Sequence, residues 1–477
     1  MSAGKRAFAV ALLLATIAAS ALAHVGSPDV FFQGKAGPYQ LLISIRPPEV
    51  IPGVARVEVR ALSPDVKRIE LTPTPMTGEA ATHPPVADVA QNSTADPQYF
   101  EGSLWLMAIG TGSWKVHVHA SGTSGDGDMQ IPVPTLPTRM RPMDPGISYF
   151  LIGMMVFLTV GMVALVGAGI REAKLEPGVE ARPWSSRTFG MMAAVSAFLL
   201  FVLWAGNAWW ATAANAASDR IYKPLGMTAT LTGPDRLLLQ ITDPGWVIPR
   251  KLDDLALDHG HLMHLFLVRW PEMDRVYHLH PDQKATGYFE AGLPSLAKGN
   301  YRLYGDIVHD TGFAETAVGE ASLPDVSGRP ISGDDAGGVT VPVNDASFPL
   351  ESGYRMVWTH DKTKPVAATA LTLFSFSIVG PDGKPVTDLE PYMGMGGHAE
   401  FIKEDGSVFA HVHPSGSVSM ASVAVASAQT MMGMHEGAPG TSVSFPYGVP
   451  TPGKYRIFVQ MKRAGKVETG AFALTVA

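Results

Sequence analysis

Two long stretches without a charged side chain restrict the possible folds of this chain most strongly. The first runs from Pro145 to Ile170 and the second from Thr188 to Ser218. Each exceeds the roughly 20 apolar residues that an α-helix needs to cross a bilayer. We therefore predict a transmembrane hairpin over residues 145–218, with helices at about 147–170 and 189–212.

The segments beside the hairpin predict its topology. Residues 1–23 combine a basic start, an apolar run and the small-residue end "ALA", which is typical of a secretory signal peptide. Cleavage there would make His24 the first mature residue. The loop 171–187 carries four Lys and Arg residues, which favours the cytoplasm. We expect the rest of the chain outside the bacterial inner (plasma) membrane, on its periplasmic or extracytoplasmic side, with the lipid bilayer as a partner.

Composition excludes some partners and some ligands. The formal net charge is −7 and there is no long basic run, which argues against nucleic acid as a partner. The 477 residues include no cysteine, although an exported chain could use disulfides. A site for a soft metal would therefore have to use histidine and methionine.

The remaining sequence predicts a mainly β protein. Short alternating or β-branched runs are separated by Gly and Pro, and no long 3.6-residue period interrupts them. We expect three immunoglobulin-like antiparallel β-sandwich domains, at residues 24–144, 219–324 and 353–477. Residues 325–352 are rich in Pro, Gly and Asp, which predicts a linker.

The second and third predicted domains contain a repeat, over roughly residues 225–323 and 354–476. Both copies have the same landmarks in the same order: the dipeptide "DL", a leading histidine, a His-x-His-Pro strand and a Gly-x-Tyr-Arg strand. The order of these landmarks predicts that the two domains share one fold and place their histidines in equivalent positions.

Histidines are concentrated in pairs. Alternate residues of a strand point to the same face, so each His-x-His pair places two imidazoles side by side. Imidazole is the commonest metal ligand among side chains. Four of these pairs occur among the 15 histidines: His117/His119, His259/His261, His278/His280 and His411/His413.

The third domain predicts a three-histidine site. The hairpin signal "EDGS" at 404–407 should fold His398 back beside His411 and His413, near enough for three rings to share one ion. Pro281 follows the pair His278/His280, and Pro414 follows His411/His413. Each proline should end its strand near an accessible rim, with a separate site in each of the two domains. The equivalent residues of the second domain are His264, His278 and His280.

Nearby donors bear on the choice of metal. Met395 and Met420 lie close in sequence to the third-domain histidines, and thioether with imidazole suits Cu(I). We therefore expect the third-domain site to hold Cu(I) more tightly. Imidazole alone suits Cu(II) or zinc, so copper and zinc both remain candidates. His24 could bind copper through its ring and α-amine, with a second ring from His83, His117 or His119.

The layout resembles a family of bacterial membrane-anchored envelope proteins with YtkA-like or FixH-like immunoglobulin-type domains. The resemblance rests on "HVGSPDVFFQGKAGPYQLLISIRPP", "YRLYGDIVHDTGFAET" and "PYMGMGGHAEFIKEDGSVFAHVHPSGSVSM". It implies a fold similar to that of CopC-like copper carriers, and it implies no particular activity.

Three functions are compatible with these observations. The first is a membrane-anchored copper-binding protein for carriage, storage or delivery to an envelope cuproenzyme or oxidase assembly. The second is a copper- or zinc-dependent enzyme on the same histidines. The third is a structural or interaction protein whose histidines are incidental. The exported domains contain no nucleophile elbow, His-Glu-x-x-His motif or phosphate-binding loop.

Overall fold

The computed structural model describes residues 28–107, 113–339, 344, 346–360, 364–428 and 439–477. The chain forms two compact units. One unit comprises the described residues up to Leu136 together with those from Lys223 onward, and the other is Pro137–Tyr222. The predicted fold class is confirmed, because antiparallel β-sandwiches dominate the first unit and two long apolar helices form the second.

The smaller unit is a helical hairpin. Helix α1 spans Pro145–Glu172 and helix α2 spans Ser186–Ser218. Their 28 and 33 residues correspond to roughly 42 and 50 Å, more than the hydrocarbon core of a bilayer requires. Their large apolar side chains are mostly exposed, whereas core helices of a soluble protein bury one face. Both helices are therefore long and apolar enough to cross a membrane.

Side-chain caps begin both helices. Asp144 Oδ1 accepts a hydrogen bond from the Ile147 N–H at 3.1 Å, and Ser185 Oγ accepts one from the Thr188 N–H at 3.3 Å. These caps set the starts of the helices two and three residues before the predicted ones, and the helices end at Glu172 and Ser218, beyond the predicted 170 and 212. The connecting loop is held by Arg171, whose guanidinium lies 4.4 Å from the Trp184 ring centre.

The first sandwich follows the alternation of its sequence. In "ARVEVRA" at 55–61, the apolar side chains are buried, and the charged ones between them remain at least partly exposed. Its two sheets have the strand orders β1-β2-β3-β7-β6 and β5-β4-β8-β9. The strands are β1 (Val30–Ala36), β2 (Tyr39–Arg46), β3 (Gly53–Ala61), β4 (Val66–Pro75), β5 (Asp88–Val89), β6 (Gln91–Asn92), β7 (Tyr99–Leu106), β8 (Ser113–Gly122) and β9 (Gly125–Pro134).

The middle sandwich is one nine-stranded sheet, with the order β14-β15-β11-β10-β17-β16-β12-β13-β18. Leu239 of β11 and Leu267 of β12 share one core, so the sheet folds over on itself. The strands are β10 (Gly226–Leu231), β11 (Arg236–Thr242), β12 (His264–Arg269), β13 (Arg275–Leu279), β14 (Asp282–Ala285), β15 (Tyr288–Gly292), β16 (Gly299–Val308), β17 (Ala314–Leu323) and β18 (Ala336–Val339).

The third sandwich has two sheets, β19-β20-β21-β25 and β22-β26-β23-β24, with β27 paired to β26. Helix α3 (Met420–Ser427) follows β24. The strands are β19 (Ser347–Pro349), β20 (Arg355–Thr359), β21 (Thr372–Val379), β22 (Leu389–Glu390), β23 (His398–Lys403), β24 (Phe409–Val412), β25 (Val443–Tyr447), β26 (Gly453–Arg463) and β27 (Lys466–Val476).

The predicted linker at residues 325–352 contains two short strands. Strand β18 pairs with β13 of the middle sandwich, and β19 pairs with β20 of the third. Both strands join existing sheet edges and satisfy backbone groups there, a gain that Pro, Gly and Asp content does not reveal.

The middle and third sandwiches share one hydrophobic core. Tyr304 of the middle sandwich stacks on Phe409 of the third, with ring centres 4.1 Å apart, and Phe266 lies 5.3 Å from Phe409. The first sandwich joins this core through Phe31. This packing places β12 and β13 against β23 and β24. The leading histidines and the His-x-His pairs lie on these four strands or directly after them.

Candidate metal centre

One group of histidines lies on β12 and β13. The antiparallel register pairs Leu265 with Leu279 and so places His264 opposite His280. His278 and His280 share a face, and their ring centres are 4.6 Å apart. His264 Nδ1 lies 3.0 Å from His278 Nε2. These three residues form the first triad, in which one ring nitrogen from each lies within 4.8 Å of the others.

A second group lies on β23 and β24. Their register pairs Ala399 with Val412, which places His398 opposite His413. His398 Nδ1 is 3.0 Å from His411 Nε2, and the rings of His411 and His413 are 4.6 Å apart. The predicted proximity of each leading histidine to its pair is therefore confirmed in both domains.

The second group also receives a histidine from the middle sandwich. The His259 ring lies 5.2 Å from that of His398 and 5.3 Å from that of His413. One ring nitrogen of each of these three residues lies within 4.8 Å of the others. We call them the second triad, and it is built from two sandwiches.

The two groups are in contact and form one cluster. His264 lies 5.6 Å from His411, and His278 lies 6.0 Å from His398, between ring centres. The first triad lies wholly within the middle sandwich, as predicted, whereas the second draws His259 from across the interface, which the repeat pattern did not predict. The cluster contains eight of the 15 histidines: His259, His261, His264, His278, His280, His398, His411 and His413.

The expected open rim was wrong. Strands β13 and β24 do end before Pro281 and Pro414. However, His278 is 0% exposed and bonds Gln460 of the opposite sandwich, and His413 is 2% exposed and bonds the Val418 carbonyl just before α3. The centre is therefore an interior one.

The hydrogen bonds around the cluster assign the ring protons. Nδ1–H of His280 donates to Asp335 Oδ1 at 2.9 Å, and Nδ1–H of His413 donates to the Val418 carbonyl at 3.1 Å. Each Nε2 then carries a lone pair. Both Nε2 atoms are buried and have no hydrogen-bond partner among the described residues, as is also true of Nε2 of His259 and His398.

The contact between His264 and His278 brings two lone pairs together. His264 Nε2–H donates to the Asp258 carbonyl at 3.1 Å, and His278 Nδ1–H donates to Gln460 Oε1 at 2.9 Å. With this assignment the two facing nitrogens, 3.0 Å apart, are both acceptors. Two nitrogens bound to one ion at about 2.0–2.1 Å would lie roughly 3.0–3.4 Å apart. The arrangement therefore fits a shared cation.

Burial keeps the rings neutral. It lowers the pKa of His264 to about 4 and that of His411 to about 3. Burial together with the neighbouring rings lowers the pKa values of His278, His398 and His413 well below the ordinary value. Neutral imidazole is the form that binds metal, so no proton has to be displaced from these nitrogens near pH 7.

Polar groups beside the rings were missed by sequence reasoning. His411 Nδ1 lies 3.3 Å from Asp306 Oδ2, and burial raises the pKa of that carboxyl to about 6. Glu400 is fully buried, and neither of its oxygens has a hydrogen-bond partner among the described residues. Burial raises the pKa of Glu400 well above its ordinary value. Its position two residues after His398 on a strand was the available signal, since i and i+2 share a face.

The predicted methionine ligands are buried. Met395 closes the turn before β23, where its N–H donates to the Tyr392 carbonyl at 3.1 Å. Met420 begins α3, and its sulfur accepts a hydrogen bond from Ser415 Oγ at 3.5 Å.

The remaining predicted residues are elsewhere or undescribed. His117 Nε2 and His119 Nδ1 both contact Asp128 Oδ1, at 2.9 and 2.8 Å, on the first sandwich. The hydrogen bond from His119 lowers the pKa of Asp128. His24 and the predicted signal peptide lie outside the described residues.

Fold and site together define a β-sandwich protein with an apolar helical hairpin and a buried polyhistidine cluster that could hold metal ions. Residues 350–477, essentially the third sandwich, match a family described as a domain of unknown function (DUF8832). No curated protein matches the sequence.

Solved structures show only remote similarity. Dimeric latent PorU from Porphyromonas gingivalis is 10% identical, with a TM-score of 0.15 over 94% of this chain and 34% of that one. Salmonella alpha-2-macroglobulin reacted with methylamine is 12% identical, with a TM-score of 0.19 over 94% of this chain and 23% of that one. The chain thus spans about a third and about a quarter of the lengths of these proteins, and scores this low carry no functional argument.

Proposed function

We propose that this protein is a membrane-anchored metal-binding protein of the bacterial envelope, and that its histidine cluster binds copper for carriage, storage or delivery. The observation that carries the proposal is the set of buried ring nitrogens that have no hydrogen-bond partner among the described residues and belong to the two triads. Burying polar atoms without partners costs free energy, so their retention at one place needs a compensating ligand.

The donor chemistry favours copper over zinc. Each triad is built from neutral imidazoles, which suit both metals, but the turn leading into β23 adds two thioether side chains, one of them Met393. Thioether donors select Cu(I). A recipient such as an envelope cuproenzyme or oxidase assembly is the partner that this chemistry would serve.

The proposed location rests on the helical hairpin and its flanking sequence. A signal peptide at residues 1–23 would export the first sandwich, and the basic loop at 171–187 would remain in the cytoplasm. The sandwiches then lie together outside the inner membrane. Protease added to spheroplasts should digest residues 219–477, and protection of that segment would contradict this topology.

A copper- or zinc-dependent enzyme is the second candidate. The contact between the two triads favours it, since paired metal ions can act together on one substrate. The burial of the rings favours binding over turnover, because a catalytic metal needs an open position that substrate can reach.

The test is metal stoichiometry of the full-length protein in detergent. After separate loading with Cu(I) and with Zn²⁺ and then desalting, we expect about two copper ions per chain, one for each triad. Replacing His411 and His413 with Ala should remove one copper ion, whereas His83→Ala, at an exposed histidine of the first sandwich, should remove none. Retention of neither metal by the wild-type chain would refute the proposal and leave a structural role.

A further inference from the structure

The segments leading into β12 and β23 form the same turn. In "DHGH" at 258–261, the N–H of Asp258 donates to the carbonyl of His261 and the N–H of His261 donates to the carbonyl of Asp258, at 2.8 and 2.9 Å. In "YMGM" at 392–395, the corresponding two bonds join Tyr392 and Met395, at 2.7 and 3.1 Å. The two turns are therefore equivalent, with Met393 in the place of His259.

The equivalence extends to an unusual backbone conformation. His259 has a φ of 52° and Met393 a φ of 50°, and a left-handed glycine follows each. A side chain with a Cβ seldom adopts this conformation, and strain of this kind is concentrated at ligand sites. Both side chains are half-buried.

The turn of the middle sandwich supplies a donor to the third. His259 reaches out of its own sandwich to His398 and His413, and its Nε2 has no partner among the described residues. Its neighbour in the turn behaves differently. His261 stacks on His280 of its own sandwich, at 3.9 Å between ring centres, and its Nε2 faces Asp334.

Contacts across the interface are reciprocal. His278 of the middle sandwich bonds Gln460, which pairs with His398 in the third. His411 of the third sandwich contacts Asp306, which pairs with His264 in the middle one. The two sandwiches are therefore related by an approximate twofold axis through the cluster.

We propose that Met393 is the fourth ligand of the first triad, reaching it from the third sandwich as His259 reaches the second triad from the middle one. The same axis relates His259, which lies beside His398 and His413, to Met393, and so assigns Met393 a place beside His264 and His280. Met395 corresponds to His261 and remains on its own sandwich. This inference rests on the proposed metal binding and specifies its ligands.

The two sites then differ in donor set. The first triad with Met393 has three imidazoles and a thioether, a soft set that selects Cu(I). The histidines of β23 and β24 with His259 offer imidazoles alone, which accept Cu(II) or zinc as well. The sequence predicts that the third-domain site holds Cu(I) more tightly. This assignment of ligands gives the tighter Cu(I) site to the first triad instead.

The experiment compares Met393→Leu with the matched control Met395→Leu in the full-length protein loaded with two equivalents of Cu(I). X-ray absorption should show a sulfur scatterer on copper in the wild type and in Met395→Leu, and none in Met393→Leu. Competition with a Cu(I) chelator should show the tighter site weakened at least about tenfold by Met393→Leu, since loss of a ligand exceeds the usual cost of losing an outer-shell contact.

A gain-of-function variant provides a second readout. Met393→His should remove the sulfur signal and make the first site retain Zn²⁺ as the second does. If Met393→Leu keeps the sulfur scatterer and the affinity of the wild type while two coppers remain bound, the ligand assignment is wrong and the metal-binding function stands. If the wild type binds no copper, both proposals fall.

Discussion

His309 holds the loop that delivers His259 to the metal centre. Its ring is buried between two carboxylates, with Nδ1 2.8 Å from Asp254 Oδ1 and Nε2 3.1 Å from Glu315 Oε1. Arg250 donates to the other oxygen of Glu315 at 2.7 Å. Asp254 lies five residues before His259, so loosening this network should loosen the loop.

The change that tests this role is His309→Gln. Each hydrogen bond between charged groups is worth about 1.5–3 kcal/mol, and glutamine can replace only one of the two and without charge. Glu315 keeps its contact with Arg250, so most of the loss falls on Asp254. We expect the free energy of local opening to fall by roughly 2 kcal/mol near pH 6.

The effect should depend on pH in one direction. Burial opposes the charged ring, but the hydrogen bonds from His309 to Glu315 and Asp254 outweigh burial and raise the pKa of His309 above its ordinary value of 6.5. A raised pKa contributes stability that is complete below the unfolded value and is lost as pH rises through the folded value. The difference between wild type and variant should therefore be largest at pH 6 and smallest at pH 9.

Amide hydrogen exchange of peptides covering residues 243–263 measures this local opening directly. His83→Gln, at an exposed position, is the control and should leave these peptides unchanged. His309→Gln should also retain less metal at the second triad, because the loosened loop carries His259. A difference below about 0.5 kcal/mol at pH 6, or one that grows toward pH 9, would refute the reasoning.

Three further changes test the architecture. Gly416 has a φ of 127° and lies against the strand of Phe31, so the Cβ of Gly416→Ala would clash with the Phe31 carbonyl. We expect the contact between the first and third sandwiches to loosen and protease to cleave the variant faster than the wild type. Phe401→Ala should lower the free energy of unfolding by about 3–5 kcal/mol in denaturant titration, since the ring is fully buried against Phe374 and Tyr447, and a smaller loss than 1 kcal/mol would contradict this packing. Deleting residues 137–222 should move the protein from the membrane fraction to the soluble fraction, and unchanged fractionation would contradict membrane anchoring.

Local features of the centre could be predicted because they depend on neighbouring residues. The turn signal at 404–407 pairs β23 with β24 and brings His398 to His411, whatever the rest of the chain does. The same reasoning holds for His264 and His278. Two-residue alternation then places the second histidine of each pair on the same face.

The contribution of His259 could not be predicted in this way. The histidines that it contacts, His398 and His413, lie on another sandwich. That contact exists only because the two sandwiches dock, with Tyr304 and Phe266 packed on Phe409. The strand within the predicted linker has a related cause, since β18 pairs with the edge of β13. Both outcomes depend on surfaces that meet after the domains form.

The sequence by itself determined the elements: two apolar helices, alternating strands, and three histidines brought together within each hairpin. These depend on hydrophobic periodicity and turn chemistry over a few residues. Only the tertiary structure decided that the two groups form one buried cluster, that Glu400 and Gln460 line it, and that His259 crosses to the opposite sandwich. Docking is driven by the burial of apolar area, which is non-directional, so the partners of a polar side chain follow from which surfaces meet.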